Sequence, residues 1–166
     1  MVGARRRRRR IRALKPTVAL ESPLDQDGTA LIRQAHEFSA TLYPPSSNHT
    51  LDAAALAHPA IRFFVARLSG AAVGCGAFRL DPDACIEIKS VFVAAAARGQ
   101  GIGSLLLGAI EQSARREGTV MARLETGVVS TAALGLYRRA GYRDRPPFGD
   151  YAADPLSVFL EKPLAA

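Results

Sequence analysis

A chain of 166 residues, 48% of them hydrophobic, can bury one good core and is short for two ordinary domains. Its formal charge of +7 is uneven: the first 15 residues hold eight of the 22 lysines and arginines and no acid, leaving 14 basic against 15 acidic residues in the rest. That near-neutral body argues against a folded face built for a polyanion, and no apolar run approaches the roughly 18 residues of a membrane span. The basic N-terminus is not followed by the apolar stretch of a secretion signal, so the expected location is cytoplasmic and no membrane partner is expected.

The expected division is an arginine-rich tail over residues 1–15 and one domain over residues 16–166. Residues 5–10 are all arginine, a block that repels itself and buries nothing, so it is expected to be disordered in isolation. Two readings stand: an adventitious extension, or an arm that binds nucleic acid through counterion release. No aromatic residue is interleaved with these arginines, which counts against base stacking.

Residues 17–23 alternate as a short strand ending in a proline turn. Residues 25–43 carry Leu31, Ala35, Phe38 and Leu42 at helical spacing and predict a first helix, followed by a polar loop, Tyr43-Pro44-Pro45-Ser46-Ser47-Asn48-His49. Residues 51–59 allow a short second helix. Two apolar runs, 61–68 and 71–80, are joined by Ser69-Gly70, and a turn at Asp81-Pro82-Asp83 leads into a third, 86–93; together they predict an antiparallel meander. A helix is expected from Gly103 to Gly118, then a strand at 120–126, a helix at 131–141 ending on Gly141, and two closing strands near Tyr142-Arg143 and at 157–161. Cys75 and Cys85 flank one strand at the wrong offset to pair, without metal-ligand spacing around them, and read as reduced core thiols. The element order predicts an α/β (α+β) fold with a mixed sheet covered by helices.

The stretch Arg98-Gly99-Gln100-Gly101-Ile102-Gly103-Ser104 stands where a strand passes into a helix. Bare glycines let backbone N–H groups approach a ligand, the helix N-terminus adds unpaired donors and Arg98 adds a cation, which together suit a pyrophosphate. A dinucleotide fold of the Rossmann type also places Gly-x-Gly before a helix, with Glu125 as its ribose-binding acid. Its third glycine is Ser104 here, however, and too little chain follows to finish a doubly wound sheet.

These residues resemble the GNAT superfamily of acetyl-CoA-dependent N-acetyltransferases, whose signature R/Q-x-x-G-x-G/A is matched from Arg98 to Gly103. The later Leu136-Tyr137-Arg138-Arg139-Ala140-Gly141-Tyr142 matches that family's Leu-Tyr-x-x-x-Gly-Phe/Tyr segment. Leu124-Glu125-Thr126-Gly127 and the closing Pro-Pro-Phe-Gly-x-Tyr resemble a group of small bacterial members. The resemblance implies a splayed central sheet, with acetyl-CoA as acyl donor. Its pyrophosphate would be held by the amides of Gly99, Gln100, Gly101, Ile102, Gly103 and Ser104 beside Arg98. Its pantetheine would lie along Val91, Phe92 and Val93, which part from the strand at 120–126.

The resemblance further implies Tyr137, also at the cofactor, as general acid and the Val93 amide as oxyanion donor. Ser130 stands where the family often has an asparagine on the pantetheine. The base stays open between Glu87, which alternates onto one face with Lys89 and Val91, and Glu125 beside the splay; His49 is a third possibility. The acceptor side implied is lined by Tyr43, Asn48, His49, Asp150 and Tyr151, which suits a small polar amine such as an amino acid or derivative. Homodimerisation through the closing strands is possible by the same resemblance. The competing class is a module that binds acyl-CoA or nucleic acid without turnover.

Overall fold

A computed structural model of the chain describes residues 15–164; the arginine run and the reading attached to it lie outside the described residues. The elements in chain order are β1 (Thr17–Leu20), α1 (Gln26–Ala40), a 3-10 turn (Pro45–Ser47), α2 (Ala53–Leu56), β2 (Ile61–Leu68), β3 (Ala71–Leu80) and β4 (Cys85–Val93). There follow α3 (Ile102–Arg116), β5 (Met121–Gly127), α4 (Thr131–Arg139), β6 (Arg143–Arg145) and β7 (Ser157–Pro163). One seven-stranded sheet has the order β1-β2-β3-β4-β5-β7-β6. Every pairing is antiparallel except β4 with β5, so the sheet is mixed as expected.

The apolar runs are continuous because helices cover both faces. Along β2, Phe63 and Val65 pack with Leu31, Ile32 and Leu56 of α1 and α2, whereas Phe64 and Ala66 join Leu106, Ile110 and Ala114 of α3. On β3, Gly76 makes room for α3: a Cβ there would stand 3.0 Å from the Ile110 side chain. The β2–β3 hairpin turns at Ser69 and Gly70, both with positive φ, as a two-residue turn matched to strand twist requires. The third helix starts at Ile102, one residue before the expected Gly103, because Gly101 takes the left-handed N-cap position at φ 76°.

One expectation fails on β4. Glu87, Lys89 and Val91 were to share a face, but Ser90 sits at φ 56° and the register to β3 jumps from Ala77↔Lys89 to Cys75↔Phe92. The bulge inserts one residue and reverses the alternation. Val91 therefore packs with the α3 core, and Phe92 turns towards α1.

Both cysteines are buried and free, and the Cys75 Sγ donates to the Ser90 carbonyl at 3.5 Å. Burial pushes the Cys75 thiol up to about 12 and raises that of Cys85 as well. Neither thiolate is populated at neutral pH. An Ellman titration is expected to find no reactive thiol in the native protein and two after unfolding in guanidinium.

Candidate active site

The parallel pairing of β4 with β5 covers Cys85↔Met121 through Ile88↔Leu124 and then stops. Beyond it β5 continues with β7 as far as Gly127↔Ser157, while β4 stays with β3 to Gly74↔Val93. The two central strands thus part, and the backbone facing the gap is left without a strand partner. Ala94 donates its N–H to the Val73 carbonyl at 2.8 Å, so by strand alternation the Val93 N–H points the other way, to the open edge. The Val93 carbonyl on that edge accepts from the Arg98 Nε at 3.1 Å.

The gap opens into a cavity of about 580 Å³. Its floor is Ile88 to Val93 and its far wall is Glu125 to Gly127 with Ser130, Leu136 and Tyr137. Gly99, Gly101, Ile102, Gly103 and Ser104 line the end where α3 begins, whereas Gln100 does not border it and turns its amide to the Ala96 carbonyl at 3.5 Å. The α3 N-terminus has no side-chain cap and no acidic residue in its first turn, so its free N–H groups and dipole are available to an anion. Gly99 and Gly101 both need positive φ, while Gly103 is helical. The absence of a side chain at Gly103 clears Leu136 of α4, 3.2 Å from where a Cβ would stand. Arg98 lies 4.6 Å above the Phe38 ring, and no carboxylate pairs with it among the described residues.

Phe38 is 42% exposed, so the apolar stripe read on the first helix divides: Leu31 enters the core beside Ile32, which the stripe did not include, while Phe38 and Leu42 face the cavity. Tyr43, Asn48 and His49 line the same space. The Tyr43 hydroxyl shares a 2.8 Å hydrogen bond with the Ser130 hydroxyl. Its ring occupies the place of a side chain at Gly127, where a Cβ would fall 1.9 Å from the phenol oxygen. Gly127 is a site residue that sequence reasoning missed; a glycine ending a strand was its signal.

Tyr137 is 5% exposed, packs edge-on against Tyr142 at 5.7 Å, and borders the cavity. No protein group hydrogen-bonds its hydroxyl among the described residues, and burial raises its pKa well above the ordinary phenol value. Across the splay, Glu125 accepts the Ser157 hydroxyl at 2.7 Å; burial raises its pKa, outweighing that hydrogen bond and the fields of His49 and Lys89.

Glu87 is placed differently. It is 1% exposed and does not border the cavity. One carboxylate oxygen accepts from the Lys89 ammonium at 2.7 Å and from the Tyr151 hydroxyl at 2.5 Å, and the other pairs with Arg79 at 2.9 Å. Tyr151 itself stands behind the wall, edge-on to His49 at 5.2 Å, and Asp150 is exposed with no contact to the cavity. Removing the Glu87 carboxylate strands a cation in a nearly dry site. Glu87→Ala is expected to cost about 3 kcal/mol, at the low end for a broken buried pair because Arg79 is half exposed and can rehydrate. The check is the urea midpoint at constant slope.

A family model, the acetyltransferase (GNAT) family, matches residues 29–142. The chain belongs to the acetyltransferase (GNAT) family. Within that family it is 49% identical over 149 residues to the IAA acetyltransferase of Azospirillum brasilense, covering 89% of this chain and 97% of that one. A solved structure described as an acyl-CoA N-acyltransferase, from Klebsiella pneumoniae, superposes with a TM-score of 0.77 at 37% identity, over 90% of this chain and 98% of the other. The yncA protein of Salmonella typhimurium, solved with its cofactor acetyl-CoA, shares the fold at a TM-score of 0.69 and 19% identity, over 90% and 94% of the two chains. This GNAT chain is an N-acetyltransferase, and its mixed, splayed sheet is the fold it shares with these neighbours.

Proposed function

We propose that the protein transfers the acetyl group of acetyl-CoA to the primary amine of a small polar acceptor, an amino acid or derivative, by direct attack in a ternary complex. The observation that carries this reading is the cavity itself: one continuous space runs from an uncapped helix N-terminus, along an unpaired strand edge, to a half-buried carboxylate and a buried phenol. The chain fits the donor on three counts. The α3 amides with Arg98 suit a pyrophosphate, the bare Gly103 admits it beside Leu136, and the β4 edge offers the backbone that an extended amide arm can pair with.

Within that frame Glu125 takes a proton from the acceptor ammonium, which frees the lone pair. The new N–C bond forms as the C–S bond breaks, the Val93 N–H stabilises the charge developing on the carbonyl oxygen, and Tyr137 gives its proton to the departing sulfur and takes up the second proton that the acetylated nitrogen sheds. Its raised pKa keeps that proton in place until it is needed. Glu87 is a positioning residue here, holding Lys89 and Tyr151 behind the acceptor end. His49, Asn48 and Tyr43 shape the acceptor wall, and Ser130 with Tyr43 supplies a pair of hydroxyls beside the donor's arm.

The test is to incubate the full chain with acetyl-CoA and a panel of small amines, following free CoA and the product mass. Acetylated amine appearing in proportion to released CoA is the expected result. Binding of acetyl-CoA without any product would point instead to a module without turnover.

A further inference from the structure

We infer that Lys89 anchors a carboxylate of the acceptor, so that the substrate is an amino-carboxylic acid bound by both of its charged ends, its amine towards Glu125 and its carboxylate towards Lys89. This rests on the acetyltransfer reading above and adds the acceptor's second functional group.

Lys89 belongs to the buried network of Glu87, Arg79 and Tyr151, yet it is the member that borders the cavity. Its side chain is 11% exposed. An ammonium has three N–H donors. One is taken by Glu87 at 2.7 Å and one by the Tyr151 hydroxyl at 2.9 Å, which leaves a third. Glu87 cannot neutralise Lys89 alone, because its second oxygen is engaged by Arg79; Arg79 also reaches Asp81 at 2.9 Å. Two carboxylates and two cations balance, and the spare donor of a nearly dry ammonium remains at the cavity wall, where an unfilled donor is costly.

The surroundings favour an anion at that donor. Tyr151 fixes the geometry from behind: the ammonium lies 5.5 Å from its ring centre, and His49 stands edge-on to the same ring. Asn48 borders the cavity as well, and its carbonyl oxygen is already occupied by the Ser39 hydroxyl at 3.0 Å, leaving its amide N–H groups to donate. On the neighbouring strand, Glu125, like Lys89 one residue past the last β4–β5 pair, presents the complementary charge and senses the field of Lys89. A plain amine would satisfy Glu125 and leave Lys89 unfilled; a zwitterion satisfies both.

The experiment uses the full chain, saturating acetyl-CoA, and two matched sets of acceptors: common free amino acids and the corresponding amino acid amides. For the best-accepted side chain, the wild type is expected to show a kcat/KM about ten- to a hundredfold higher for the acid than for the amide, mostly through KM. Lys89→Met should bring the ratio of acid to amide kcat/KM to about one, and Lys89→Arg should keep part of the preference. Equal use of acid and amide by the wild type would overturn the inference, whether or not either variant folds. An equal loss on both substrates in folded Lys89→Met would also overturn it, showing Lys89 to be structural. Failure to acetylate any member of either set while another small amine is acetylated would overturn the inference and leave the acetyltransfer reading standing; no product from any amine would sink that reading itself.

Discussion

Tyr137→Phe is expected to lower kcat by about a hundred- to a thousandfold while acetyl-CoA affinity and the melting temperature stay within error. The hydroxyl that is removed borders the cavity and has no protein partner among the described residues, so its loss strands no buried donor or acceptor. The ring keeps its edge contact with Tyr142 and its place between α4 and the sheet. What disappears is a proton held at the site by burial, and general acids of this kind contribute about 10²–10⁴ in rate. Steady-state kinetics on the best acceptor, beside a calorimetric Kd for acetyl-CoA, separates the two effects. An unchanged kcat would make Tyr137 a packing residue.

The second large effect is expected at Glu125, and it carries opposite signs for rate and stability. Burial raises the carboxyl pKa, so the folded state binds this proton more tightly than the unfolded chain does. Ionised Glu125 therefore costs stability, and the cost is incurred as pH rises from the ordinary carboxylate value through the raised one. Glu125→Gln removes that cost while keeping an oxygen for the Ser157 hydroxyl, and should raise the melting temperature at pH 7. The same change should lower kcat/KM by about a hundredfold or more and flatten the acidic limb of its pH profile, which in the wild type falls as pH drops through the raised pKa. A gain in stability together with a loss in rate is the mark of a group strained for chemistry. A loss of both would mean that Glu125 serves the fold.

Much of this architecture was legible because the apolar runs, the turn residues and the helix ends agree with one another. The meander, the two later helices and the closing strands stand where their spacing put them, and the glycines between Arg98 and Ser104 marked the passage from strand to helix where the cavity ends. The misreadings share a cause: each depends on contacts far apart in the chain. A bulge at Ser90 reverses the strand's alternation, and nothing in the residue type marks it; the small Gly76, opposite the bulge, is the nearest hint. Glu87 reads as a candidate base until Tyr151, 64 residues on, closes over it. Gly127 looked like the end of a strand, and its need to be bare comes from Tyr43 lying on it. Helical spacing in α1 gave the apolar stripe, but where along it the core stops and the cavity begins depends on how β4 and β5 part.

The central claim, that the splayed strands and the turn into α3 hold acetyl-CoA, is tested most directly by calorimetric titration of acetyl-CoA into the wild type and into Gly103→Val. Gly103 has ordinary helical geometry, so valine introduces no backbone strain. Its side chain would meet Leu136 and project into the cavity beside the free amides. The predicted result is one site per chain with a Kd of order micromolar in the wild type, weakened about a hundredfold or more in the variant at unchanged circular dichroism, a difference of about 2.7 kcal/mol. Equal affinity in the two proteins, or no binding by the wild type, would contradict the account.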